Sequence, residues 1–212
     1  MKINLFPSNS IQKLIHDVTV DIRKLNLNPQ TTIVVNVDVI NGFFKEGALA
    51  SLRLDKIIGK IEKVNEFFLH SQKIFFIDSH TQMSTEFSAY PTHCVNDREQ
   101  QIVSELSRFT ADALLIKKNC TNGFLEPEYA RWFAQHKDKI ENIVITGGAT
   151  DICVMQFALT QKAYLNEINS KIKVIAVENA IQTFDTEAHN GDMCHAFAMY
   201  NMYINGIIPV KI

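Results

Sequence analysis

Chemistry in this sequence gathers at a few positions, and the first is Cys153. It lies in NIVITGGATDICV, Asn142 to Val154, just past the Gly147-Gly148 pair. Ile143 to Ile145 reads as a short buried strand, and Val154, Phe157, Ala158 and Tyr164 recur beyond it at helical spacing, so the cysteine falls at a helix N-terminus. Unpaired backbone N–H groups and the positive end of the helix dipole favour a thiolate there, which predicts a nucleophilic sulfur with a pKa below its ordinary value. The same amides suit a developing oxyanion. The plainer alternative is a small buried residue, which is what most free cysteines are.

The second position is the end of KIFFI, Lys73 to Ile77, where Asp78 is followed by His80 and by a polar loop, TQMSTEFSAYPTHC, that carries Glu86 and His93. Two imidazoles with two carboxylates form a donor set for Zn²⁺, Mn²⁺ or Fe²⁺. Loop histidines that are merely solvated are the alternative. Two further charges close apolar runs: Asp38 after Thr32 to Val37, and Lys117-Lys118 after Ala113 to Ile116. Open α/β sheets bind ligands at the carboxyl ends of their strands, although an Asp there also serves simply to cap a turn.

The elements that must position these residues alternate. Strands are predicted at Thr32 to Val37, Lys73 to Ile77, Ala113 to Ile116, Ile143 to Ile145, Lys171 to Val177 and Ile207 to Lys211. Helices are predicted over residues 54 to 70, over Glu99 to Arg108, from Pro127, after the glycine pair, and in a late segment holding His189, Cys194 and His195. Near-continuous apolar strands between helices indicate an α/β fold: three layers, with a mostly parallel sheet of about six strands and helices on both faces. Residues 1 to 30 read as a peripheral lead-in of the same domain as 31 to 212, with one short helix through Ile11, Leu14, Ile15 and Val18 that Ser10 would cap.

Bulk properties narrow the function. A 212-residue chain with 46% hydrophobic residues can bury a full core. Its formal net charge of −2 gives no footprint for nucleic acid or an anionic membrane, so a small-molecule partner is expected. The cysteines Cys94, Cys120, Cys153 and Cys194 lie far apart without C-x-x-C pairing, and the N-terminal MKINLFPSNS lacks an apolar h-region, which together fit a cytoplasmic protein. There is no G-x-G-x-x-G after the first strand and no phosphate-binding G-x-x-x-x-G-K-[ST]. Phe67-Phe68 and the tail methionines Met193, Met199 and Met202 read as core or a subunit contact, leaving a homo-oligomer open.

Taken in order, VDVINGF at Val37 to Phe43, DSH at Asp78 to His80, EFSAYPTHC at Glu86 to Cys94, KKNCTNGF at Lys117 to Phe124 and GGATDICV at Gly147 to Val154 resemble the isochorismatase-like cysteine hydrolases, the superfamily that includes nicotinamidases. The resemblance runs from about Thr32 to the C-terminus. It implies Asp38 as proton-transferring acid, Lys118 as catalytic lysine and Cys153 as nucleophile, with an oxyanion hole from the N–H groups of Ala149 and Cys153 and a cis peptide at Gly148-Ala149. It also implies a divalent metal, Zn²⁺ first with Mn²⁺ or Fe²⁺ as alternatives, on Asp78, His80, Glu86 and His93, and a substrate ring held between Phe43 and Tyr90. Glu86 stands where many members have histidine, and the commoner D-x-Q-N-D-F is D-V-I-N-G-F here. Lys117 and Lys118 are adjacent and only one can face the site; the register to Phe124 favours Lys118. The implied activity is hydrolysis of a small aromatic carboxamide, nicotinamide to nicotinate and ammonia, through a thioester. The alternatives are the same fold acting on another amide, a ureide or a vinyl ether, or a catalytically silent binding member.

Overall fold

A computed structural model describes residues 8–212, so the first seven residues of the expected lead-in lie outside it. Among the described residues, seven parallel strands form one sheet in the order β1-β7-β6-β5-β2-β3-β4. They are β1 (Val20–Asp21), β2 (Thr32–Val37), β3 (Gln72–Asp78), β4 (Leu114–Lys118), β5 (Asn142–Gly148), β6 (Lys173–Gln182) and β7 (Ile208–Lys211). The longer helices are α1 (Ser8–Val18), α2 (Ile58–Phe67), α3 (Pro127–His136), α4 (Met155–Glu167) and α5 (Gly191–Ile204). The expected α/β architecture is present, with seven strands rather than six: the extra one, β1, has two residues that pair with Val210 and Lys211 of β7.

Strand β2 shows why the apolar runs are continuous. All six of its residues are buried, with Ile33, Val35 and Val37 turned toward α3, α4 and α5, and Val34 toward α2 on the opposite face. Period-2 alternation thus feeds two cores, and neither face reaches water. Asn36, the polar residue in this run, exchanges hydrogen bonds with Asn65 of α2 (3.1 and 2.8 Å) and accepts one from Thr146 of β5 (2.8 Å). The buried amide is satisfied, so it ties helix to sheet without a desolvation penalty.

Three predicted elements are corrected. No helix spans Glu99 to Arg108: a short helical turn at Asp97–Gln100 and a 3₁₀ segment at Ser104–Phe109 are separated by extended backbone. There Ile102 bridges to Ile40, Gln101 accepts from Asn41 N–H and Val103 donates to the Val39 carbonyl, a pairing that helical periodicity cannot reveal. Ser10 sits inside α1 rather than capping it. His189 precedes the late helix, which begins at Gly191 with Asn190 as its cap.

Candidate active site

Asp38, Asp78, Lys118 and Cys153 arrive from the neighbouring strands β2, β3, β4 and β5 at the carboxyl edge of the sheet. Register aligns Asp78 of β3 with Lys118 of β4, which turns Lys118 inward at 1% exposure, whereas Lys117 faces outward to Gln100. That resolves the lysine register. After β2 the chain bends at Asp38, whose φ of 51° is left-handed and whose N–H bonds the Phe76 carbonyl at 3.0 Å. Near the end of β5 it turns at Gly147, φ 115°, where a Cβ would stand 2.0 Å from the Val37 carbonyl oxygen, so only glycine fits. The Gly148-Ala149 peptide is cis. Thr150–Val154 then forms a wide π-type turn, with the N–H groups of Ile152 and Val154 both on the Ala149 carbonyl, before α4 starts. Cys153 is buried in that turn.

Lys118 is the hub. Its Nζ lies 2.8 Å from Asp78 Oδ1, 2.9 Å from Asp38 Oδ2, 3.0 Å from the Cys120 carbonyl and 3.8 Å from Cys153 Sγ. Asp38 Oδ2 receives the ammonium as a buried ion pair, and the same carboxylate faces the Cys153 side chain. Such a carboxylate has lone pairs free to receive a proton.

Electrostatics divides the roles of these groups. Burial pushes the Asp38 carboxyl up to about 6, against the pull of Lys118. Burial would raise Asp78 too, but Lys118, His80 and His93 hold it far below the usual carboxylate range. Burial would lower Lys118, yet Asp38 and Asp78 keep its ammonium charged well above the ordinary lysine pKa. Cys153 corrects the sequence expectation: burial pushes its thiol well above the ordinary value, and Asp38 and Asp78 raise it further against Lys118. The resting group is a thiol beside a base with a pKa near neutrality.

Asp78 joins this cluster to a second one. Its Oδ2 lies 2.9 Å from His80 Nε2 and 3.0 Å from His93 Nε2, and Glu86 Oε1 is 3.9 Å from His80 Nε2. One donor atom from each of the four residues falls within 4.8 Å of every other. His93 Nδ1 donates to the Pro91 carbonyl at 2.7 Å, and His80 Nδ1 contacts the Asn119 side-chain oxygen at 3.1 Å. These anchors on Nδ1 aim both Nε2 atoms at the Asp78 carboxylate, the orientation of metal-ligating imidazoles. The donor set fits a divalent metal.

A small cavity of about 30 Å³ reaches both clusters, lined by Phe43, Tyr90, Ile152 and Phe184 along with Asp78, Glu86, His93 and Cys153. Phe43 and Tyr90 flank His93, with ring centroids 5.6 and 6.2 Å away. Larger hollows, of about 530 Å³ beside β5 and β6 and about 460 Å³ between α1 and α5, hold no buried nucleophile. The residues predicted from sequence therefore converge. Sequence reasoning missed Asn119, which orients His80, and Phe184, which comes from a loop that carries no motif. The glycine at position 42 is also explained, because a Cβ there would meet Cys94 Sγ at 2.8 Å and Glu99 Cβ at 3.2 Å.

Comparison with known proteins places the chain in a family. The isochorismatase domain pattern matches residues 32–205. Nicotinamidase 1 of Arabidopsis thaliana is 30% identical over 184 residues, covering 78% of this chain and 75% of that protein. Among solved structures, a cysteine hydrolase from Pseudomonas syringae superposes with a TM-score of 0.75 at 16% identity, covering 87% of this chain and 90% of its own. The zinc complex of a Pyrococcus horikoshii pyrazinamidase gives 0.69 at 22%, covering 86% and 99%. These last two establish shared fold. From the domain match and the curated relative, the chain belongs to the isochorismatase family.

Proposed function

We propose that this protein is a cysteine amidohydrolase that converts a small aromatic carboxamide, with nicotinamide as the leading substrate, into its acid and ammonia through a thioester. The observation that carries the reading is Lys118, one buried ammonium in contact with Asp38, Asp78 and Cys153, the last two of which line a small cavity. The nicotinamidase relative supports the substrate class.

The order of proton transfers follows from the electrostatics. Cys153 rests as a thiol, so attack on the amide carbon must be accompanied by loss of its proton, and Asp38, which faces the thiol and has a pKa near neutrality, accepts it. The carbonyl oxygen takes up the electron pair and is held by the N–H groups of Ala149 and Cys153. Asp38 then returns the proton to the leaving nitrogen, ammonia departs and a thioester remains on Sγ. In the second half Asp38 removes a proton from water, the resulting oxygen attacks the thioester, and the thiolate leaves with the proton coming back from Asp38. Lys118 stays charged throughout and offsets the negative charge passed between Asp38 and sulfur.

Asp78, His80, Glu86 and His93 would hold the divalent metal, Zn²⁺ by donor type, which when bound supplies a Lewis-acid contact for a ring nitrogen. Phe43 and Tyr90 flank that corner and would grip a flat ring. A cavity this small favours a compact substrate over a long chain. Ammonia release measured over a panel of amides tests the reading: nicotinamide, or a close aromatic carboxamide, should head the panel. Activity confined to ureides or vinyl ethers would replace the substrate while retaining the family.

A further inference from the structure

A second donor cluster lies behind the nucleophile's turn, outside the machinery described above. We propose that Asp151, His189 and Cys194 form a metal site of their own, one that takes a divalent cation of the Zn²⁺ class. One donor atom from each residue lies within 4.8 Å of the others. The three come from separate elements: the π-type turn that carries Cys153, the loop after β6, and the first turn of α5.

The proton positions carry the argument. His189 Nδ1 is 3.1 Å from the Phe184 carbonyl oxygen, which can only accept, so the ring proton sits on Nδ1. Nε2 is then the ring atom left for a partner, and it faces Asp151 Oδ2 at 2.7 Å. That distance is a hydrogen-bond contact filled by a second ring proton, and a cation ligated by both atoms would take that proton's place once they part to about 3 Å. His93 repeats the pattern, with Nδ1 on the Pro91 carbonyl and Nε2 on the Asp78 carboxylate. An imidazole whose far nitrogen is anchored to a backbone carbonyl is how proteins orient a metal-binding histidine. His195 supplies the contrast: its Nδ1 meets the Thr150 hydroxyl at 2.9 Å, a group able to donate, so the ring proton is not fixed there.

Two further observations point to a ligand. Asp151 Oδ1 is buried and has no hydrogen-bond partner, leaving a second oxygen unspent. A cavity of about 450 Å³, lined by Asp151, Met155, Met193, Cys194 and Phe197, opens onto the cluster and gives an ion both a route and room for a fourth, water ligand. Nitrogen, sulfur and carboxylate oxygen together suit Zn²⁺ and disfavour Mg²⁺ or Ca²⁺. The ion would clamp the loop after β6 to the turn of the nucleophile. Phe184, stacked on His189 at 4.0 Å and lining the substrate cavity, would be fixed by it.

Sulfur distinguishes this site from the Asp78 cluster, which has none. The test titrates chelator-treated, untagged protein with Co²⁺ in a Cys153→Ala background, measuring stoichiometry by equilibrium dialysis and near-ultraviolet absorption for thiolate-to-cobalt charge transfer. Two equivalents per chain and one charge-transfer band are expected. Cys194→Ser should abolish the band and leave one equivalent, as should His189→Ala, whereas His93→Ala should lose the other equivalent and keep the band. A parent protein without the band, or a band that survives Cys194→Ser, would overturn the proposal and leave His189 as a protonated partner of Asp151.

Discussion

Removing the ammonium of Lys118 should shift the acid limb of catalysis upward. Lys118 Nζ stands 2.9 Å from Asp38 Oδ2 with both side chains fully buried. At an effective dielectric constant of about 20, opposite charges at that separation attract by about 6 kcal/mol, or about 4 pKa units. Relaxation and water entry into the space left by Lys118→Ala reduce this, so a rise of about 2 units is the working expectation. With Lys118 in place, burial sets Asp38 at about 6. Asp38 must be ionised to accept the thiol proton, so kcat/KM should fall about tenfold per pH unit below 6 and level off above it. In Lys118→Ala the limb should move to about pH 8, and activity at pH 7 should drop about tenfold from this cause alone, with a further loss because the developing thiolate has no cation beside it. Ammonia release measured from pH 5 to pH 9 reads both effects. An acid limb that stays near pH 6 in Lys118→Ala would refute the assignment of Asp38 as the base under Lys118 control.

Asp38→Asn should abolish turnover by at least about three orders of magnitude at every pH, because an amide cannot carry the proton; near-normal activity would require another base. His93→Ala removes one of the two imidazoles on Asp78 Oδ2, so elemental analysis should show metal lost from that cluster and kinetics should show KM for nicotinamide rising more than kcat falls. Full activity after complete metal stripping of the parent protein would remove the metal from the account. Gly147→Ala should cost at least about 3 kcal/mol or prevent folding, since its Cβ would overlap the Val37 carbonyl at an unfavourable φ; a denaturation midpoint within experimental scatter of the parent would contradict the turn geometry.

What could be read from the sequence, and what could not, follows from where each property is decided. Strands β2, β3 and β5 were legible because burial on both faces leaves an unbroken apolar run, and an acid or glycine closes each one. Strand β1 was not, since two residues held only by pairing with β7 leave no pattern. The break at Gln101–Val103 likewise depends on a distant bridge to Ile40. Site residues on strand ends could be placed by motif, but Phe184 and His189 arrive on a loop with no periodicity, and their partners lie elsewhere in the chain. The thiol of Cys153 shows the limit most plainly: a helix N-terminus argues for a thiolate, yet burial beside two carboxylates outweighs it, and neither is visible along the sequence.

The central claim is that Cys153 carries the acyl group. Ammonia release from nicotinamide should therefore be compared directly between the parent protein and Cys153→Ala, with hydroxylamine present to divert any thioester to the hydroxamate. The account predicts ammonia and hydroxamate from the parent, and neither from a Cys153→Ala protein that keeps its fold by circular dichroism. Turnover retained in Cys153→Ala would contradict it.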